Sequence, residues 1–221
     1  MAIIQDGFYL EKVEDCDIIN GFFTPPPEIN CILPKACYGN SKLTQVVLTP
    51  NIQEVSSYAF AGCRNLTSIN LPDNIHLFDL SSILNCPNLE EITFPSKFKF
   101  IDFHFDVYRI EELYDFTKNL MTKSEKSQKS LLNLIKYYPT ICLYIQDCDR
   151  SFKANALEQV RLGMEERIEL AKETENFYMI EKDIKLIPKL KEWKNPERYK
   201  KEQNMPRTEE LKRKITELQK Y

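Results

Sequence analysis

Apolar residues in the first half of this chain recur every 23 positions. Leu43, Leu66 and Leu89 form one column, Val46, Ile69 and Ile92 a second, and Leu48, Leu71 and Phe94 a third. Ile29, Ile52, Ile75 and Phe98 keep the same step, as do Ile32, Val55, Phe78 and Ile101, and the small residues Ala36, Ala59 and Ser82. A fixed period with conserved side-chain size predicts stacked turns, each too small to bury its apolar side alone. Gly39, Gly62 and Asn85 follow in the same register, in slots suited to a left-handed or tight turn, which costs glycine nothing and asparagine little.

The core of each unit reads L-x-x-I-x-L, and its length lies in the leucine-rich-repeat range, with one short strand expected per turn. The segment from Ile52 to Pro72 carries Ala59-Phe60, Gly62-Cys63, Leu66, Ile69, Leu71 and Pro72, and so resembles the repeat of the BspA-type leucine-rich-repeat family. The first unit has Cys37 and Asn40 in place of the aromatic and the cysteine; the third keeps Cys86; the fourth starts at Phe98 and Ile101 and then dissolves into Asp102-Phe103-His104-Phe105. The resemblance covers residues 29–107 and implies an adhesive or protein-binding module of the kind found on bacterial and protist surfaces.

Strand alternation sends Leu66, Ile69 and Leu71 inward and leaves Thr67, Ser68 and Asn70 outward. The equivalent outward residues are Thr44, Gln45 and Val47 in the first unit and Glu90, Glu91 and Thr93 in the third. These nine are the candidate partner-binding residues. At ~4.8 Å between strands their face is only about 15 Å deep.

The second half changes period. Ile110, Leu113, Phe116 or Thr117, and Leu120 predict one helix, the run around Leu131, Leu134 and Ile135 a second that Pro139 ends, and Ala156, Val160, Met164, Ile168 and Ala171 a third. Phe177, Ile180, Ile184 and Ile187 predict a fourth, stopping before Pro188, and Leu211, Ile215 and Leu218 a last one capped by Thr208. Thr140 to Ile145 is either a buried helical turn or a core strand. The expected fold class is therefore α+β: an N-terminal cap over 1–28, a leucine-rich-repeat solenoid of three to four turns over 29–107, and a helical domain over 108–221. The phenylalanines of the fourth unit are expected to seal the solenoid under the helix that starts near Tyr108.

Charge divides the chain in the same way. Residues 1–108 hold 6 Lys/Arg against 13 Asp/Glu, and residues 182–221 hold 13 against 7. Within that basic stretch Lys185, Lys189, Lys191, Trp193, Lys194, Arg198, Tyr199, Lys200 and Lys201 interleave cations with aromatics, as a single-strand or RNA binder requires. Glu192, Glu197 and Glu202 dilute them into the pattern of a solvated helix face.

Catalytic patterns were sought without success. No metalloprotease, dinucleotide, Walker, nucleophile-elbow or EF-hand motif occurs, so no cofactor or metal is expected. Asp147-Cys148-Asp149 reads as an exposed loop, and His104 between Asp102 and Asp106 as a polar capping surface. The seven cysteines include no C-x-x-C pair; Cys63 and Cys86 occupy a repeat column, where a small buried thiol packs the turn. No apolar run approaches the ~18 residues of a membrane span. The start lacks a basic segment followed by an apolar one, which predicts a cytoplasmic location, or secretion if a signal has been removed. The serines at 124, 127 and 130 among lysines predict a modifiable loop.

Two functional readings follow. The first is a non-enzymatic module that binds a protein partner or a second copy of itself through the repeat face, the helical half or both, for instance an intracellular effector or inhibitor. The second is a nucleic-acid-associated protein acting through the basic C-terminal helices.

Overall fold

A computed structural model describes residues 2–99, 101–105, 110–146, 148–174 and 178–194. Met1–Ile180 forms one compact unit and Glu181–Tyr221 a second.

The first unit opens with β1 (Ile3–Gln5) and β2 (Tyr9–Lys12), which are antiparallel across a turn in which Asp6 and Gly7 both have positive φ. The chain then winds as a solenoid. One sheet takes β4 (Cys31–Ile32), β6 (Glu54–Val55), β8 (Leu77–Asp79) and β10 (Asp102–His104), all parallel to β2. The other takes β3 (Phe22–Phe23), β5 (Gln45–Val46), β7 (Ser68–Asn70) and β9 (Glu91–Thr93). The expectation of one strand per turn is thus corrected to two. The second strand belongs to the Ile32 column, and at two or three residues it is too short to show an alternation of its own.

Register follows the predicted columns through most of the stack. Val46 pairs with Ile69 and Ile69 with Ile92, while Ile32 pairs with Val55 and Val55 with Phe78. The fourth unit departs from the expectation. Asp102–His104 is a regular strand, and Phe103 pairs with Phe78 where the 23-residue step places Ile101. A slip of two residues preserves which side chains face inward, because the strand period is two. Ile101 and Phe103 are accordingly both buried, and the Phe103 ring meets Phe78 edge-on at 5.9 Å.

Gly39, Gly62 and Asn85 have φ of 69°, 72° and 58°, the left-handed conformation expected of that column. Beside it the corners are stitched by backbone bonds from Cys37 to Ala59, Gly39 to Ala61, Phe60 to Ser82 and Gly62 to Leu84. Side chains add ladders with the same step. Asn51 and Asn74 donate to the carbonyls of Pro27 and Pro50, and Asn65 and Asn88 to those of Ser41 and Arg64. The thiols of Cys63 and Cys86 donate to the carbonyls of Cys37 and Phe60.

Helices α1 (Ile110–Thr122), α2 (Glu125–Tyr137) and α3 (Arg150–Thr174) follow in the same compact unit, with a 3-10 segment at Pro139–Tyr144. That segment resolves the ambiguity of residues 140–145 in favour of helical turns. Ser124 caps α2 through a reciprocal bond pair with Ser127, and Ser127 and Ser130 are buried, so the predicted serine loop is a helix start. The aromatic seal also differs from expectation. Phe94 and Phe98 stack on Tyr137 at the end of α2, Phe103 on Tyr138, and Phe105 meets Tyr144, so the helical partner is the α2 terminus and the segment after it. On α3 the buried stripe runs Phe152, Ala156, Val160, Gly163, Arg167, Ala171, which leaves the predicted core residue Ile168 exposed. The last described helix, α4 (Tyr178–Lys194), continues through Pro188 where a stop was expected. The predicted helix from Thr208 lies outside the described residues.

Candidate protein-binding face

The outward surface of the four-stranded sheet is arranged in three rows. Gly21, Thr44, Thr67 and Glu90 form the first, and its threonines are engaged along the stack: Thr44 Oγ1 donates to Gly21 O and Thr67 Oγ1 to Thr44 O, each at 2.9 Å. The paired residues Phe22, Gln45, Ser68 and Glu91 form the second row. Val47, Asn70 and Thr93 form the third. Asn70 turns back to the backbone, accepting from Leu48 N at 2.6 Å and donating to Leu48 O at 3.1 Å.

Helix α2 closes the far end of this sheet. Its buried Ser130 hydroxyl accepts from Ile92 N at 3.0 Å, and its first turn and the residue ahead of its cap bring cations to the acidic row end. Lys126 pairs with Glu91 at 2.7 Å and Lys123 approaches Glu90 at 3.7 Å, while Ser124 Oγ donates to Glu90. Of the nine predicted residues, Thr44, Thr67 and Asn70 hold turns together and Glu90 and Glu91 join the sheet to α2. Gln45, Val47, Ser68 and Thr93 stand on the face, where no side-chain hydrogen bond involves them among the described residues.

At the opposite end the face is apolar. Ile19 is 70% exposed, Phe22 47% and Val47 46%. Phe22 precedes Phe23, which pairs with Val46, and Ile19 and Phe22 exchange backbone bonds at 2.9 Å in both directions. Sequence reading assigned both residues to a cap; stepping 23 back from Gln45 lands on Phe22 and would have placed it on the face.

The basic candidates sit elsewhere. Lys185, Lys189 and Lys191 are exposed on α4, which also contains Trp193 and Lys194. Lys185 and Lys189 are four apart and share a face, whereas Lys191 lies well around the helix at ~100° per residue. Arg198, Tyr199, Lys200 and Lys201 lie outside the described residues.

The acidic and histidine motifs set aside in the sequence lie at element ends. Asp149 Oδ1 accepts from Phe152 N at 2.7 Å and so caps α3, and His104 lies 3.1 Å from Asp102 on an exposed strand end. Asp106 and Asp147 lie outside the described residues. Among the described residues no group of three His, Cys, Asp or Glu side chains could hold a metal ion. A cleft of about 980 Å³ lies between the glycine corners and α1; its charged lining, Arg64, Glu112, Asp115 and Lys118, is balanced in sign. No helix among the described residues is long and apolar enough to cross a membrane.

A two-sheet solenoid of about four turns, closed at one end by helices, defines a scaffold of the leucine-rich-repeat class. The BspA type leucine rich repeat region matches residues 23–136 in six copies, more than half of the chain, and the chain belongs to that family. The matched range extends past the last strand into α1 and α2. Among solved structures it is similar to a leucine rich repeat protein of T. pallidum, at 23% identity and a TM-score of 0.38 over 46% of this chain and 47% of that one. A leucine rich cell surface protein of Faecalibacterium prausnitzii is similar at 19% identity and a TM-score of 0.19, over 42% and 35%. The chain thus spans about half the length of the first and a third of the second. No curated protein matches.

Proposed function

We propose that this chain is a non-enzymatic protein-interaction module whose partner sits on the outward face of the four-stranded sheet. The observation that carries the reading is the exposed apolar group Ile19, Phe22 and Val47 with polar Gln45, Ser68 and Thr93 on the same face, while Thr44, Thr67, Asn70, Glu90 and Glu91 are engaged in the fold. Repeat family membership supports binding as the role of such a stack.

Size shapes the footprint. Four strands at ~4.8 Å and five residues at ~3.3 Å make a face roughly 14 Å by 17 Å, well short of the ~800 Å² that each side of a stable interface buries. A partner therefore extends past the sheet, over the Ile19 turn at one end and the first turn of α2 at the other.

The test is quantitative capture from the native host with wild-type chain, a face variant (Phe22→Ser, Gln45→Arg, Ser68→Arg) and a control variant (Glu54→Ala, Asp102→Ala) on the other sheet. The expected result is a protein retained by wild type and control and lost from the face variant. Retention by the face variant overturns the reading.

A further inference from the structure

The two sheets treat their edges differently. In the four-stranded sheet the outer N–H and C=O of Phe22 on β3 are taken by Ile19, and β9 is closed by Ser130 of α2. These are the devices by which proteins keep edge strands from pairing with other chains. In the six-stranded sheet β1 is the terminal strand, and among the described residues it pairs on one side only, with β2.

The surroundings of β1 specify what would add to it. Ile4 pairs with Leu10 and continues inward the column Leu10, Ile32, Val55, Phe78, Phe103; the other five are buried, whereas Ile4 is only half-buried. An apolar side chain on an incoming strand would cover it. On the outward side stand exposed Ile3 and Tyr9, with exposed Glu11 further along β2 and Asp6 in the turn. Lys12, the one cation in the first 22 residues, is paired with Glu14 at 2.7 Å, and Lys42 holds Asp15 at 2.9 Å, which leaves Asp6 and Glu11 as the exposed carboxylates of the hairpin. Cationic side chains on the outward positions of the incoming strand would stand beside exposed Ile3 and Gln5 of β1 and reach Asp6 in the turn and, across β1, Glu11.

We infer that β1 is a second docking site, distinct from the face proposed above, which takes an extended segment of alternating apolar and cationic residues as a seventh strand. This is recognition by strand addition: main-chain bonds hold the segment, and its two faces select the side chains.

The test uses the full chain and a labelled peptide of alternating valine and lysine, read by fluorescence anisotropy at low and high salt. Three probes are compared with it: the valine–glutamate peptide, a valine–lysine peptide with alternate amides N-methylated, and the variant Asp6→Lys, Glu11→Lys. The expected results are saturable binding of valine–lysine, at least tenfold weakening by the charge swap, gain of the glutamate peptide by the swapped variant, and loss on N-methylation. Hydrogen exchange of the Ile3–Gln5 amides should slow on binding, with the β4–β8 amides unchanged. Absence of saturable binding at low salt, indifference to the swap, or equal affinity of the N-methylated peptide overturns the inference. So does a wild-type chain already dimeric through β1.

Discussion

The backbone amide of Ile92 donates to the hydroxyl of Ser130 at 3.0 Å, and both groups are buried. Ile92 lies on the last strand of its sheet, where a fifth strand would otherwise supply an acceptor. Ser130→Ala removes that acceptor and leaves a buried N–H unsatisfied, at a cost of about 1–3 kcal/mol. Urea unfolding of the variant should show a lower midpoint with an unchanged slope, since the surface exposed on unfolding stays the same.

Asn70 separates scaffold from binding surface. Its side chain makes two bonds to Leu48, so Asn70→Ala should destabilise the fold by about 1–2 kcal/mol. Ser68 occupies the neighbouring strand position without such bonds among the described residues, and Ser68→Ala should fall within ~0.5 kcal/mol of wild type. Equal losses in the two variants, by chemical denaturation, would show that Asn70 does not clamp the turns.

Much of this was legible in the sequence, and the illegible parts have physical causes. The inward columns and the left-handed positions 39, 62 and 85 were readable because burial restricts side-chain size and positive φ restricts residue type. The second sheet was not, since strands such as Glu54–Val55 are shorter than any alternation that could reveal them. Phe103 displaced Ile101 from its column because a two-residue insertion keeps the same faces inward, and both residues are apolar. On the candidate face, outward direction was readable but commitment was not: the bonds of Thr44 and Asn70 to neighbouring turns, and those of Glu90 and Glu91 to α2, depend on what the chain places beside them. Ile19 and Phe22 were read as cap because apolar residues ahead of a prolines-rich break suggest burial.

The buried thiols give the protein an alkaline limit. Burial pushes Cys63 to about 11 and Cys86 and Cys142 to about 12, from an ordinary value of 9.0. Above pH 9 the unfolded chain gives up these protons while the folded chain keeps them, so the native state binds more protons and stability falls as pH rises. The contribution is intact below pH 9 and is lost between 9 and about 12. Urea midpoints should hold between pH 7 and 8.5 and drop by pH 10.5, with a smaller drop in Cys63→Ala, Cys86→Ala. A thiol reagent at pH 8 should modify exposed Cys16 quickly and the repeat thiols only on unfolding.

Gly163 tests which of two opposed effects governs the α2–α3 contact. It lies inside α3, where alanine is favoured over glycine by ~0.8–1.0 kcal/mol on helix propensity alone. A Cβ built there, however, would clash with the carbonyl oxygen of Lys136, a backbone atom that cannot rotate away. The same carbonyl accepts from Arg167 Nη1 at 3.0 Å, and Lys136 Nζ reaches Glu166 at 2.9 Å, so separating the helices also strains two polar contacts. Overpacking of this kind costs about 1–3 kcal/mol before those contacts are counted. Gly163→Ala should therefore lower the melting temperature despite its better propensity, and Gly163→Ser should do so at least as much. The exposed position Asn155 on the same helix supplies the control: Asn155→Ala should raise the melting temperature slightly, because nothing opposes propensity there. A stabilised Gly163→Ala variant would mean that helix propensity, not packing, governs the α2–α3 contact.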